Sequence, residues 1–319
     1  GRSALPTSVE EVGIEALKQK SKPWEGNLGG QQKETNEMRK LFAQLINAQK
    51  EDIAFCPSTA HAMSIAAENL KRLNILKENK VVVLLEHQFA SSVCPFQAAC
   101  DEVGGKVRVV KDTKGEGRWA EEIINAIDDE VVAVVLGNVH WRDGTYINLP
   151  LISSHLSSLS SPPLLLIDAS QSVAAIPFDV EVVKPDFLCV SVHKWLLCPY
   201  GMSIMYLAKQ HHQTWLPLDS HDRARKGAHE ARWDEMGAMS LGGGERFPTE
   251  FEEGARRLDA GGHPNPILIP CLVHSISLIL SVGVENIYKR MRHLVKEVEK
   301  GVKEEVGEWL EVRRGEGEG

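Results

Sequence analysis

The sequence predicts an open α/β fold: a mostly parallel sheet of about seven strands, flanked by helices on both faces. Three observations carry that expectation. Short, β-branched apolar runs recur between residues 53 and 207, with helical stretches between them. The runs are apolar throughout rather than alternating, as in strands that are covered on both faces. A hydrophobic content of 43% over 319 residues is also enough for a full core.

Taken in order, strands are expected at 53–56, 81–85, 107–110, 131–136, 164–167, 187–190 and 203–207. Helices are expected at 59–73, 93–103, 119–127 and 151–159, which completes the alternation of an α/β sheet. Residues 209–250 differ in character. His211, His212, the cluster Arg223, Arg225 and Lys226, and the consecutive Gly242, Gly243 and Gly244 predict a solvated surface excursion. Order resumes near Phe251, and two amphipathic helices are expected between 266 and 309. The low-complexity stretch 313–319 reads as a frayed end. The division that follows is a large α/β domain at 1–250 and a partial C-terminal small domain at 251–319. The beginning has neither an initiator Met nor the pattern of a signal peptide, and is read as truncated.

Composition removes several classes of function. A net charge of −8 argues against nucleic acid and anionic membrane as partners, because both demand basic patches. There is no run of 18 apolar residues to span a membrane. Six cysteines, with no CxxC pair and mostly apolar neighbours, suit a reducing compartment, and a cytoplasmic location is expected. His211, His212, His221 and His229 show no metal-ligand spacing, and no metal is expected.

Two segments place charge at strand ends. Asp168 follows the apolar run from Leu164, and Lys194 follows the run from Phe187 through Ser191 and His193. Both would reach the carboxyl edge of the sheet, where open α/β folds bind ligands. Alone, such an aspartate also reads as a helix cap and such a lysine as a solvated side chain. Together they meet a chemical need: a pyridine cofactor requires a carboxylate at its ring nitrogen and an amine for its aldehyde. Burial beside other cations favours the neutral amine that this task requires. Ser58 and Thr59 open an apolar helix after Pro57. Such a turn suits a phosphate dianion and equally suits a plain N-cap.

The run Asp168-Ala169-Ser170-Gln171, the segment Ser191-Val192-His193-Lys194 and then Pro199-Tyr200-Gly201 resemble the signature of class V aminotransferases. That family includes cysteine desulfurases, selenocysteine lyases and isopenicillin N epimerase-like proteins, and the likeness is strongest to the epimerase-like branch. Supporting stretches run from Val139 to Gly144 and from Gly254 to Gly261. The resemblance implies the fold type I architecture of pyridoxal 5′-phosphate (PLP) enzymes, a PLP-dependent transferase or lyase activity, a small amino-acid substrate and a homodimer. It implies that Lys194 holds the cofactor as a Schiff base and shuttles a proton at the α-carbon. Asp168 would pair with the pyridine nitrogen, Gln171 with the ring hydroxyl, and Ser58, Thr59, Ser191 and His193 with the phosphate. Phe89 would stack on the ring when the alignment is anchored on Pro95 and Phe96, the choice preferred because the epimerase-like branch resembles this pattern and no gap is needed. Anchoring on Glu86 selects His87 instead. His263, where the family usually has Thr, would touch the partner subunit's phosphate, with a glycine-rich turn as the simple alternative. Cys198 stands where the family commonly has Gly, so a differently shaped turn is expected after Lys194.

The outcome of the chemistry (transamination, C–S or β-elimination, epimerisation) is left open by these residues. A catalytically silent scaffold with the same fold is the rival expectation. A nucleotide-binding α/β protein is disfavoured, since neither GxGxxG nor GxxxxGK[ST] is present.

Overall fold

The computed structural model describes residues 3–22, 24, 30–112, 118–226, 249–262 and 264–306. His229, Gly242, Gly243, Gly244, His263 and residues 313–319, all singled out above, lie outside them.

A seven-stranded sheet runs through the centre: β1 (Ile53–Cys56), β2 (Val81–Leu85), β3 (Lys106–Val110), β4 (Val131–Gly137), β5 (Leu164–Asp168), β6 (Phe187–Ser191) and β7 (Ser203–Leu207). The spatial order is β1-β7-β6-β5-β4-β2-β3, with β7 antiparallel to both neighbours and the other pairs parallel. The helices are α1 (Thr7–Lys20), α2 (Gly30–Ile46), α3 (Thr59–Arg72), α4 (Cys94–Val103), α5 (Trp119–Asn125), α6 (Leu149–Ser158), α7 (Val180–Val183), α8 (Leu268–Val282) and α9 (Val284–Val306).

Alternate strand residues point to opposite faces, and here both faces are dry. Val83, Leu136, Ile167 and Val190 join one apolar cluster with α2, α5, α6 and α8. Val82, Val135, Leu166 and Cys189 join the other with α3 and α4. Strands buried in this way exclude polar side chains until they leave the sheet. In β5 and β6 the first polar residues are the last ones, Asp168 and Ser191. Core packing thus delivers both to the carboxyl edge.

Helix α8 shares its cluster with β1 and β7, so residues on both sides of position 250 contribute to one core. It ends at Gly283, whose φ of 83° is open to glycine at little cost. No single helix among the described residues is long and apolar enough to cross a membrane.

Two expectations need correction. Strand β3 is an edge strand rather than one buried on both faces, and Val109 is 49% exposed. The solvated excursion fails for its first part. Trp215 is fully buried and stacks on Phe187 at 5.5 Å, and His212 is buried with Nε2 3.1 Å from the Leu207 carbonyl oxygen. His211 closes on Asp186 at 2.7 Å. A tryptophan buries a large apolar area, enough to pull a polar-looking segment onto the sheet.

Candidate active site

A cavity of about 360 Å³ opens at the carboxyl edge of β1, β2, β4, β5 and β6. The α3 N-terminus supplies one wall through Ser58 and Thr59. Ser58 is the N-cap, and its hydroxyl oxygen accepts the His61 N–H at 3.2 Å. Thr59 Oγ1 lies 2.7 Å from Ser191 Oγ and 3.3 Å from Ser203 Oγ. Counting one proton per hydroxyl fixes the direction of this chain. Ser203 donates to the Val190 carbonyl at 2.8 Å, so Thr59 donates to Ser203 and Ser191 to Thr59. Ser170 Oγ closes the network, donating to Ser191 Oγ at 3.2 Å and accepting the Ser191 N–H at 2.9 Å. The wall therefore combines ordered hydroxyls with the N-terminus of a 14-residue helix, a setting that favours an anion.

On the floor, both oxygens of Asp168 are occupied. Ser92 donates to Oδ2 at 2.9 Å and the Ser170 N–H to Oδ1 at 3.1 Å. Gln171 also faces the cavity. From the neighbouring strand end, Lys194 reaches the same space. Burial holds its amine below the ordinary lysine range, although the Asp168 carboxylate pulls the other way. Burial, reinforced by the Lys194 cation, likewise lowers the His193 imidazole. The His193 ring is stacked on Tyr200, with centroids 3.9 Å apart.

Of the two residues that the alignments offered, Phe89, the preferred one, is the one at the cavity. Its ring lines the cavity with Lys194 Nζ 5.6 Å from the centroid, whereas His87 does not line it. All eight cavity-facing candidates from the sequence are brought together, and His263 is outside the described residues. At the turn after Lys194, the left-handed residue is Leu197, with φ 53°. Cys198 itself is buried, its Sγ 3.7 Å from the Leu268 carbonyl oxygen. The chain thus places its left-handed residue one position before the cysteine.

Sequence reasoning assigned no role to Ser92, Ser170, His140, Trp141 or Tyr200. Ser170 and Trp141 lay inside the motifs already noted, and Ser92 stands three residues before Pro95. Strand order, which no local pattern encodes, is what brings them to the site. Among the described residues no group of three His, Cys, Asp or Glu is placed to hold a metal ion.

The chain has relatives among known proteins. It is 28% identical over 174 residues to a probable cysteine desulfurase of Mycoplasma genitalium, covering 54% of this chain and 42% of that protein. It is 25% identical over 276 residues to a probable cysteine desulfurase of Pyrococcus abyssi, covering 84% and 61%. The chain therefore spans about half the length of these curated relatives. In fold it resembles a C-DES variant with glycine covalently linked to its PLP cofactor. The TM-score is 0.80 and the identity 17%, over 94% of this chain and 74% of that one. The model of one family, aminotransferase class-V, matches residues 26–309, and the chain belongs to that family.

Proposed function

We propose that this chain binds pyridoxal 5′-phosphate and carries out PLP-dependent chemistry at the α-carbon of an amino acid. The observation that carries the reading is the convergence of Asp168 and Lys194, from adjacent strands, on one cavity bounded by the Phe89 ring. The family to which the chain belongs uses this cofactor. When bound, the group supplies an electron sink for negative charge developing at the substrate α-carbon.

The protein's own residues do the rest. The α3 N-terminus with Ser58, Thr59, Ser191 and His193 would hold the phosphate dianion. Asp168, fixed by Ser92 and Ser170, would hold a proton at the pyridine nitrogen. Gln171 would donate to the ring hydroxyl, and Phe89 would orient the ring by stacking. Lys194 would bind the aldehyde carbon and later carry a proton to or from the α-carbon. Its burial raises the fraction of neutral amine that both tasks need.

The two relatives direct the first assay to C–S bond cleavage. Released sulfide and keto acid are the products to follow. Inversion at the α-carbon would instead place the chain in the epimerase-like branch, the one its motifs from Asp168 to Gly201 were read as most resembling. A homodimer, a cytoplasmic setting and the division at 250 belong to the same proposal, and light scattering of the purified protein checks the first. The decisive experiment is spectroscopic. PLP-incubated protein should show an absorbance band at the edge of the visible that Lys194→Ala removes, and a wild-type protein with no such band refutes the reading. A band without turnover of any amino acid would favour the catalytically silent scaffold.

A further inference from the structure

We infer that the hairpin following β4 is a bracket for the loop that carries Phe89, with His140 and Trp141 as its positioning residues. The inference rests on the reading above, in which Phe89 stacks on the cofactor ring.

The loop after β2 turns sharply. The Gln88 N–H donates to the Leu85 carbonyl at 3.2 Å, and His87 adopts a left-handed φ of 56°. For a residue with a Cβ this conformation is disfavoured, so surrounding contacts must hold it. Two consecutive residues of the neighbouring loop supply them. His140 Nε2 lies 3.1 Å from the Glu86 carbonyl oxygen, and Trp141 Nε1–H donates to the His87 carbonyl at 2.6 Å. An indole nitrogen can only donate, and an imidazole nitrogen facing a carbonyl must carry its proton, so both contacts are directional. Trp141 also meets the Phe89 ring edge-to-face, with centroids 5.4 Å apart.

The bracket is itself rigid. Residues 138–147 form a closed hairpin: His140 N–H donates to the Thr145 carbonyl at 2.8 Å and Ile147 N–H to the Asn138 carbonyl at 2.9 Å. Val139 pairs with Tyr146, and Gly144 takes the left-handed position with φ 78°. His140 is buried and stacked on Trp119 of α5 at 5.3 Å, with Nδ1 3.0 Å from Asp143 Oδ2. Trp141 is 47% exposed, so its contacts with the Phe89 loop are not required to fill the core. What they share is the loop whose aromatic ring faces Lys194.

Trp141→Phe tests this, because it keeps an aromatic ring while removing the N–H donor together with the rest of the indole. Exchange of the Gln88 and Ser92 amides, read by hydrogen–deuterium exchange on the protein without added PLP, should quicken about five-fold, the worth of one hydrogen bond. PLP affinity, read by titration of the visible band, should fall about five-fold in the natural background and be unchanged in a Phe89→Ala background. Unchanged exchange, or an equal loss of affinity in both backgrounds, overturns the bracket. A wild-type protein that binds no PLP removes the reading of the site, and the exchange measurement then decides the bracket alone.

Discussion

Two strand-end carboxylates, on opposite edges of the sheet, differ in what faces them. Asp186 precedes β6 and is enclosed: the Leu165 N–H donates to it at 2.8 Å, Gln210 Nε2 at 2.8 Å, and His211 Nε2 lies at 2.7 Å. Asp168 ends β5 with two donors and looks into a cavity that also holds an amine. The first carboxylate is spent on structure, tying a surface loop to the start of β5 and β6. The second is oriented but leaves one side open to a ligand. The two share residue type but stand at opposite ends of their strands, and the fuller hydrogen-bond shell marks the carboxylate that serves the scaffold.

Four measurements can break or sharpen that comparison. The largest effect is expected at the amine. Lys194→Ala should lower turnover of the amino-acid substrate by about 10⁴-fold, since nucleophile and proton carrier are lost together. Its thermal midpoint should not fall, because burial already disfavours the charge there. Next, Asp186→Ala should cost about 3 kcal/mol in urea unfolding, as buried donors lose their charged acceptor, with PLP affinity unchanged. A normal stability for that variant would contradict the structural assignment. Asp168→Asn should show the converse: a fall of about a hundred-fold in kcat, the usual worth of one placed charge, with little change in stability.

The smallest effect is a shift with pH. Lys194 reacts as the neutral amine, so its labelling by a small aldehyde with borohydride should rise with pH. The midpoint should lie below that of an ordinary lysine, because burial lowers it. The Asp168 carboxylate stabilises the ammonium and acts in the opposite sense. Asp168→Asn should therefore move the midpoint lower still, and a midpoint that moves up would show that the two groups do not share one pocket.

Much of the site could be read in advance, for a local reason. In β5 and β6 an apolar run breaks at Asp168 and Ser191, and the helix opening at Ser58 and Thr59 follows a strand and a proline. Each is a pattern of neighbouring residues. The reading failed where distant residues decide the outcome. The polar neighbours of Trp215 suggested solvent, yet Phe187, 28 positions earlier, draws it into the core. Val107 and Val109 looked fully buried, and only the strand order leaves β3 at an edge.

The sequence by itself determined the seven strands, the helices other than α1, α2 and α7, and the chemical groups that end the strands, since periodicity and the first polar residue after a buried run are set by near neighbours. It also determined the family. The tertiary structure alone decided which strand ends stand side by side, and that Ser92 and Ser170 hold Asp168. Those pairings depend on the order of strands across the sheet. That order is settled by packing among segments far apart in the chain, which no local pattern records.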